Sequence, residues 1–304
     1  MNNQYKQGML SVIACGLWWG VMPVYWKVLQ PIDSVVIIFY RIVLVAVFCF
    51  LYALKVHGLD EIRQRIKPNN VKLRYFAAGI LITFNWSIYI WAVNAGKIVE
   101  ACIGYYIQPL VVCLFSVLLF KEKMDKLKTV ATVFAFTGVS IIIVHFGKVP
   151  MVALSLAVTF AIYAAIKKGF AMPPMLSLFY ETFFLVPPAF AVVIWLEATG
   201  RGALATMESP IQYGLLMFSG ILTAVPLALF ANAANKVDLF SVGLSSYIGP
   251  TISLIISIFM FKEPFDKVQL IAFAVIWTGL ILFSSGEYRN MKRASLKKEE
   301  NLVE

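Results

Sequence analysis

Charged residues are what this chain has least of. Only 14% of its 304 residues are Asp, Glu, Lys or Arg, while 61% are hydrophobic and the mean hydropathy is +0.82. A soluble domain carries about a quarter charged and about half apolar residues. Too few charges exist here to cover a water-facing surface, so the apolar excess must face lipid. Histidine is almost absent too, with His57 and His145 alone, which leaves a metal site or a histidine relay poorly supplied. The four cysteines, Cys15, Cys49, Cys102 and Cys113, sit inside apolar runs without metal-ligand spacing and read as small hydrophobes. No Gly-rich phosphate loop ending in Lys-Ser/Thr is present, which excludes a built-in ATPase of that type. No Ser-His-Asp set, HExxH or acidic dyad is legible. Nothing in the sequence implies a cofactor or a metal.

The net charge of +10 raises a nucleic-acid reading, which position removes. Basic residues fall in the short connections between apolar runs, as beside a membrane, whereas DNA binding gathers them on one folded face.

What is present is a series of runs long enough to cross about 30 Å of hydrocarbon. The pattern predicts an all-α integral membrane protein with ten spans, near 8–29, 33–56, 73–95, 98–120, 129–146, 150–167, 174–198, 211–235, 240–261 and 268–286. Gly147 and Pro150 bracket Lys148 and separate the fifth from the sixth. The first run continues through Trp18-Trp19-Gly20 to Trp26 without a small-residue cleavage site, so it reads as a span and not a cleaved leader. With both ends on the cytoplasmic side, 19 of the 26 basic residues fall inside and 6 outside, Arg41 lying within a span. That bias predicts that both termini are cytoplasmic. The charged tail, 287–304, is expected to lose order towards its end.

The chain also repeats itself. At an offset of 141 residues, 103–140 and 244–281 share twelve identities in 38 ungapped positions, including Pro109/Pro250, Lys121-Glu122/Lys262-Glu263, Asp125-Lys126/Asp266-Lys267 and Thr137-Gly138/Thr278-Gly279. Shared apolar composition does not match Pro, Lys-Glu and Asp-Lys by chance. Two units are expected, 1–148 and 149–286, each with five spans. An odd number makes the second copy enter from the opposite side, an inverted repeat with the solute site near the midplane between halves.

Phe84-Asn85-Trp86, Trp91 to Gly96, Glu100-Ala101 and Gly104-Tyr105 resemble the RarD-type permeases, in the EamA family of the drug/metabolite transporter superfamily. So do Leu17-Trp18-Trp19-Gly20, Tyr25-Trp26-Lys27, Thr223-Ala224-Val225-Pro226, Tyr247-Ile248-Gly249-Pro250 and Phe261 to Phe265. The similarity runs from about residue 7 to 286. It implies a ten-helix carrier of two EamA repeats around a central cavity, and the wider superfamily moves amino acids, nucleotide-related metabolites and cationic drugs. One departure is that Thr159-Phe160-Ala161 stands where the first repeat has Trp18-Trp19-Gly20, so the halves cannot line a cavity identically.

Candidate site residues follow from polarity at depth. Arg41 lies roughly 12 Å into the second span at 1.5 Å per residue, where an unpaired Arg costs about 2.5–3.5 kcal/mol on insertion scales. Glu181 lies comparably deep in the seventh. A one-residue shift of the repeat aligns Tyr40-Arg41 with Tyr180-Glu181. The two read as the only deep charges, with three roles open: an ion pair joining the halves, a part in solute or proton coupling, or separate snorkelling. Trp19 and Trp86 read as aromatic cavity walls for a cation or ring. Tyr25, Asn85, Tyr89, Asn94, Tyr106, Gln108 and Tyr247 complete the set, the amides serving equally well as packing between helices. Gly104, Pro109, Pro226, Gly249 and Pro250 are candidate hinges, because proline removes an amide donor in mid-span. The expected function is a secondary carrier exporting a small solute, with protons or another ion as candidate coupling partner. A membrane-embedded enzyme or a passive channel are the alternatives.

Overall fold

The computed structural model describes residues 3–66, 69–94, 98–147, 151–168, 172–262 and 266–303. Among these every regular element is an α-helix, as lipid demands of a chain that must satisfy its own backbone. The helices are α1 (Asn3–Val28), α2 (Ser34–Arg65), α3 (Asn69–Asn94), α4 (Ile98–Phe120), α5 (Lys126–Phe146), α6 (Met151–Lys168), α7 (Pro174–Phe183), α8 (Val186–Ala198), α9 (Ala203–Thr206), α10 (Pro210–Lys236), α11 (Leu239–Ser245), α12 (Ile248–Phe259) and α13 (Lys267–Val303).

Eight of the described helical segments are long and apolar enough to cross a membrane, and the bent pair α7/α8 makes a ninth. The 63° bend falls at Phe184-Leu185, just before Pro187 and Pro188. Neither proline can donate to the carbonyl one turn back, so the first helix has to stop. A similar break separates α11 from α12 at Ser246-Tyr247, where Pro250 leaves the Ser246 carbonyl without its helical donor. Gly147 ends α5 at φ 71°, which keeps the fifth and sixth runs apart as expected.

Two expectations are corrected by the helices themselves. The connection after the second run is helical to Arg65, turned at Gly58, whose φ of 72° interrupts α2. The tail is helical to Val303, being rich in Glu, Lys and Arg and free of Gly and Pro beyond Gly286.

Packing is dominated by contacts between the first and second halves of the sequence, and these occur in exchanged pairs. α1 packs on α10 as α6 packs on α3; α4 on α6 as α12 on α1; α2 on α10 as α7 on α3. The remaining large contacts join equivalent helices, α5 with α13, α2 with α7 and α4 with α11. Small residues permit this closeness. A methyl group at Gly138 would meet the Ala272 carbonyl, and one at Gly279 the Ala131 carbonyl, the same contact viewed from either half. Likewise Gly79 of α3 presses on the backbone of Glu181 in α7, and Gly220 of α10 on that of Leu44 in α2.

Candidate functional site

Arg41, on α2, is half-buried and ringed by aromatics. Its guanidinium carbon lies 4.2 Å from the centroid of Trp86 on α3 and 5.3 Å from that of Trp26 on α1. Tyr25, Tyr89 and Tyr105 are within electrostatic reach, with the Tyr89 and Tyr105 rings 5.6 Å apart. Tyr25 donates to the Leu215 carbonyl at 2.6 Å, tying α1 to α10. Arg41 forms no ion pair among the described residues, and its Nε is buried without a hydrogen-bond acceptor. Two further buried side-chain atoms lack a partner among the described residues: Ser219 Oγ and Thr223 Oγ1, one turn apart on α10. Between them Gly220 rests on Leu44, itself one turn from Arg41 along α2.

Glu181 is placed quite differently. It is 1% exposed and is held by the Lys167 ammonium, by Ser177 Oγ at 2.7 Å and by Tyr163 OH at 3.1 Å. Lys167 also donates to Ser177 at 2.8 Å. The Arg41–Glu181 ion pair, one of the three roles left open by the sequence, is therefore not formed, and the two are not the only deep charges. Lys167 was legible only as one of two lysines closing an apolar run. The turn into α7 folds Ser177 and Glu181 over it and takes its ammonium out of water.

The remaining candidates divide. Asn85 is buried and donates to the Leu156 carbonyl and to Thr159 Oγ1, both at 2.9 Å, so it joins α3 to α6. Trp19 packs against Phe160 and Phe230 at ring distances of 5.9 and 6.0 Å, half-buried against the same hydrophobic cluster that Trp86 borders. Tyr106 donates to the Pro250 carbonyl at 3.2 Å, and Tyr247, its equivalent at offset 141, donates to the Tyr106 carbonyl at 2.9 Å. Gln108 is buried on α4. The Asn94 side chain lies outside the described residues. Among the hinge candidates, Pro250 coincides with a break and Gly249 lies just inside α12, beside Gly16 and Trp19 of α1. Pro109 and Pro226 sit in unbroken helices, and Gly104 packs on Ala153. The carbonyl that Pro226 deprives of its amide, Leu222, is taken by Trp18 Nε1 at 3.0 Å. A groove of about 390 Å³ near Phe115, Leu119 and Ile162 is apolar and holds none of the candidates.

At one end of the bundle a charged cluster joins the halves. Glu122 pairs with Lys168 at 2.7 Å and accepts from the Leu239 and Phe240 amides, both at 2.9 Å. Lys128 pairs with Asp238 at 2.8 Å. Burial would raise the Asp238 carboxyl, but Lys128 and the Ser241 donors outweigh it and hold the group below its ordinary 3.8. From the sequence, Lys128 and Lys168 read only as basic residues of the connections, and Glu122 only as part of the repeated Lys-Glu.

Long apolar helices exchanged between two repeats, with charge kept at their centre, define a multi-pass membrane protein of the transporter class. The chain belongs to the EamA-like transporter family, whose model matches residues 6–144 and again 148–285. It is 39% identical over 295 residues to "Uncharacterized transporter YojE" of Bacillus subtilis, covering 95% of this chain and 97% of that protein. It is 33% identical to "Protein RarD" of Streptomyces exfoliatus, covering 98% and 94% of the two chains. Identity to "Protein RarD" of Escherichia coli is 29%, covering 96% and 98%. A solved structure titled "Crystal structure of protein" matches with a TM-score of 0.69 at 16% identity, over 90% of this chain and 96% of that one. At that identity the match speaks for the fold alone.

Proposed function

We propose that the protein is a secondary carrier that moves a small solute, in the export direction, by alternating access across a bacterial inner membrane. In this reading α3 is the tenth crossing, the two repeats are inverted, and both termini are cytoplasmic. The observation that supports it best is the paired exchange of helix contacts between halves, which would let the halves swap their roles by a two-fold-related rearrangement. Rocking between such alternatives would expose the Arg41 region to each side in turn. The Glu122–Lys168 and Lys128–Asp238 contacts would then close the cytoplasmic end in the present state. Solute, lipid and a coupling ion are its partners, and no ATP site is required.

The test is counterflow in proteoliposomes. Membranes loaded with a trial solute should take up labelled solute faster than empty ones, with saturation. Flux linear in concentration without trans-stimulation would mean a channel, and release of an altered product an enzyme.

A further inference from the structure

We infer that the solute is a carboxylate, bound at the Arg41 guanidinium with its apolar part against Trp86 and Trp26. The inference rests on the carrier reading and adds the sign of the solute's charge.

The positions facing each other here have equivalents in the second repeat. Trp26 corresponds to Lys167 at offset 141, and Arg41 to Glu181 with the one-residue shift. In the second repeat this pair of positions holds a cation and an anion that satisfy each other. In the first it holds a cation and an indole, so among the described residues no counter-charge meets Arg41. Two other well-placed carboxylates are committed: Glu181 to Lys167, Ser177 and Tyr163, and Glu197 to Tyr40 OH at 2.6 Å and the Ala203 amide at 2.8 Å. A cation kept this deep without a partner is costly unless an anion arrives to meet it.

Geometry narrows the anion. With Trp86 at its face, the guanidinium has its N–H edge left to offer, and that edge matches a planar carboxylate with two parallel hydrogen bonds. Cationic solutes, by contrast, would meet Arg41 as a like charge.

The experiment uses the full chain in nanodiscs and pairs of probes differing only in charge: benzoate with benzamide, and indole-3-acetate with indole-3-acetamide, beside tryptamine. Binding is read as thermal stabilisation of the wild type, Arg41→Gln and Arg41→Lys. Expected are binding of at least one acid, tenfold or more tighter than its amide, and no binding of tryptamine. Arg41→Gln should weaken the acid by about 30-fold or more, and Arg41→Lys by less. Equal binding of acid and amide, preference for tryptamine, failure of both acids, or acid binding unchanged in Arg41→Gln would each overturn the proposal. The acid–amide comparison needs only the wild type, so a variant that misfolds does not blunt it. Saturable counterflow of tryptamine or an amide would keep the carrier and reject the anion. Absence of counterflow for every solute despite tight acid binding would reject the carrier instead.

Discussion

The two repeats treat the same pair of positions in opposite ways. Lys167 and Glu181 form a sealed ion pair with Ser177 and Tyr163 filling the remaining valences. Trp26 and Arg41 form a half-open cation–aromatic contact with a buried N–H left over. A satisfied buried pair does its work inside the fold, where losing one member strands the other. An unsatisfied charge at similar depth gains only when something else enters. The family model matches both halves, and in the proposed reading one copy holds a structural centre and the other a site.

The largest effect is expected at the sealed pair. Glu181→Ala should cost about 3–5 kcal/mol, because Lys167 is left buried and uncompensated. The measurement is the melting temperature in detergent. The double replacement Lys167→Met with Glu181→Leu should recover most of that loss. A double variant as unstable as the single one would mean the pair has a role beyond mutual neutralisation.

Next in size are the glycines that set the helix spacing. Gly79→Ala and Gly220→Ala each push a methyl group into a backbone across the half interface, at about 1–3 kcal/mol apiece. Similar losses of melting temperature for both would support equivalent interfaces. A silent Gly220→Ala would show that α10 and α2 have slack that α3 and α7 lack.

At the open centre, Trp86→Leu, which keeps apolar packing against the neighbouring clusters and removes the ring, should change binding more than stability. Loss of the cation–aromatic contact is worth about 0.5–2 kcal/mol, expected as weaker acid binding with a near-normal melting temperature. A large fall in melting temperature with binding intact would reverse the assignment of the two centres.

The smallest effect concerns the charged end. The folded state holds the Asp238 carboxyl below 3.8, so its contribution is complete above that value and is lost as pH falls beneath it. Stability of Asp238→Asn and of the wild type should differ at neutral pH and converge in acid. A constant difference down to pH 3 would contradict the ion pair with Lys128.

Much of this architecture was legible in the sequence. Apolar runs and turn residues placed the helices, and the 141-residue offset placed the halves, because both are local or self-comparing signals. Arg41 and Glu181 stood out since charge at depth is rare. Their partners did not stand out. Lys167 closes its run as a loop lysine would, and only the fold over α7 reveals what covers it. Asn85 gave no sign that its amide meets α6, and Trp18 none that its indole caps the carbonyl freed by Pro226. Tertiary pairing of this kind leaves no periodicity to read.

In the proposed carrier Arg41 lines a water-filled transport path, while Lys167 and Glu181 are sealed. Single cysteines in place of Trp86 and of Ser177, in a chain lacking its four native cysteines, test it without knowledge of the solute. A charged methanethiosulfonate reagent applied to proteoliposomes should modify the cysteine at 86 readily and leave that at 177 unreacted. Reaction at 177 matching that at 86, or no reaction at 86 from either side, would contradict the account.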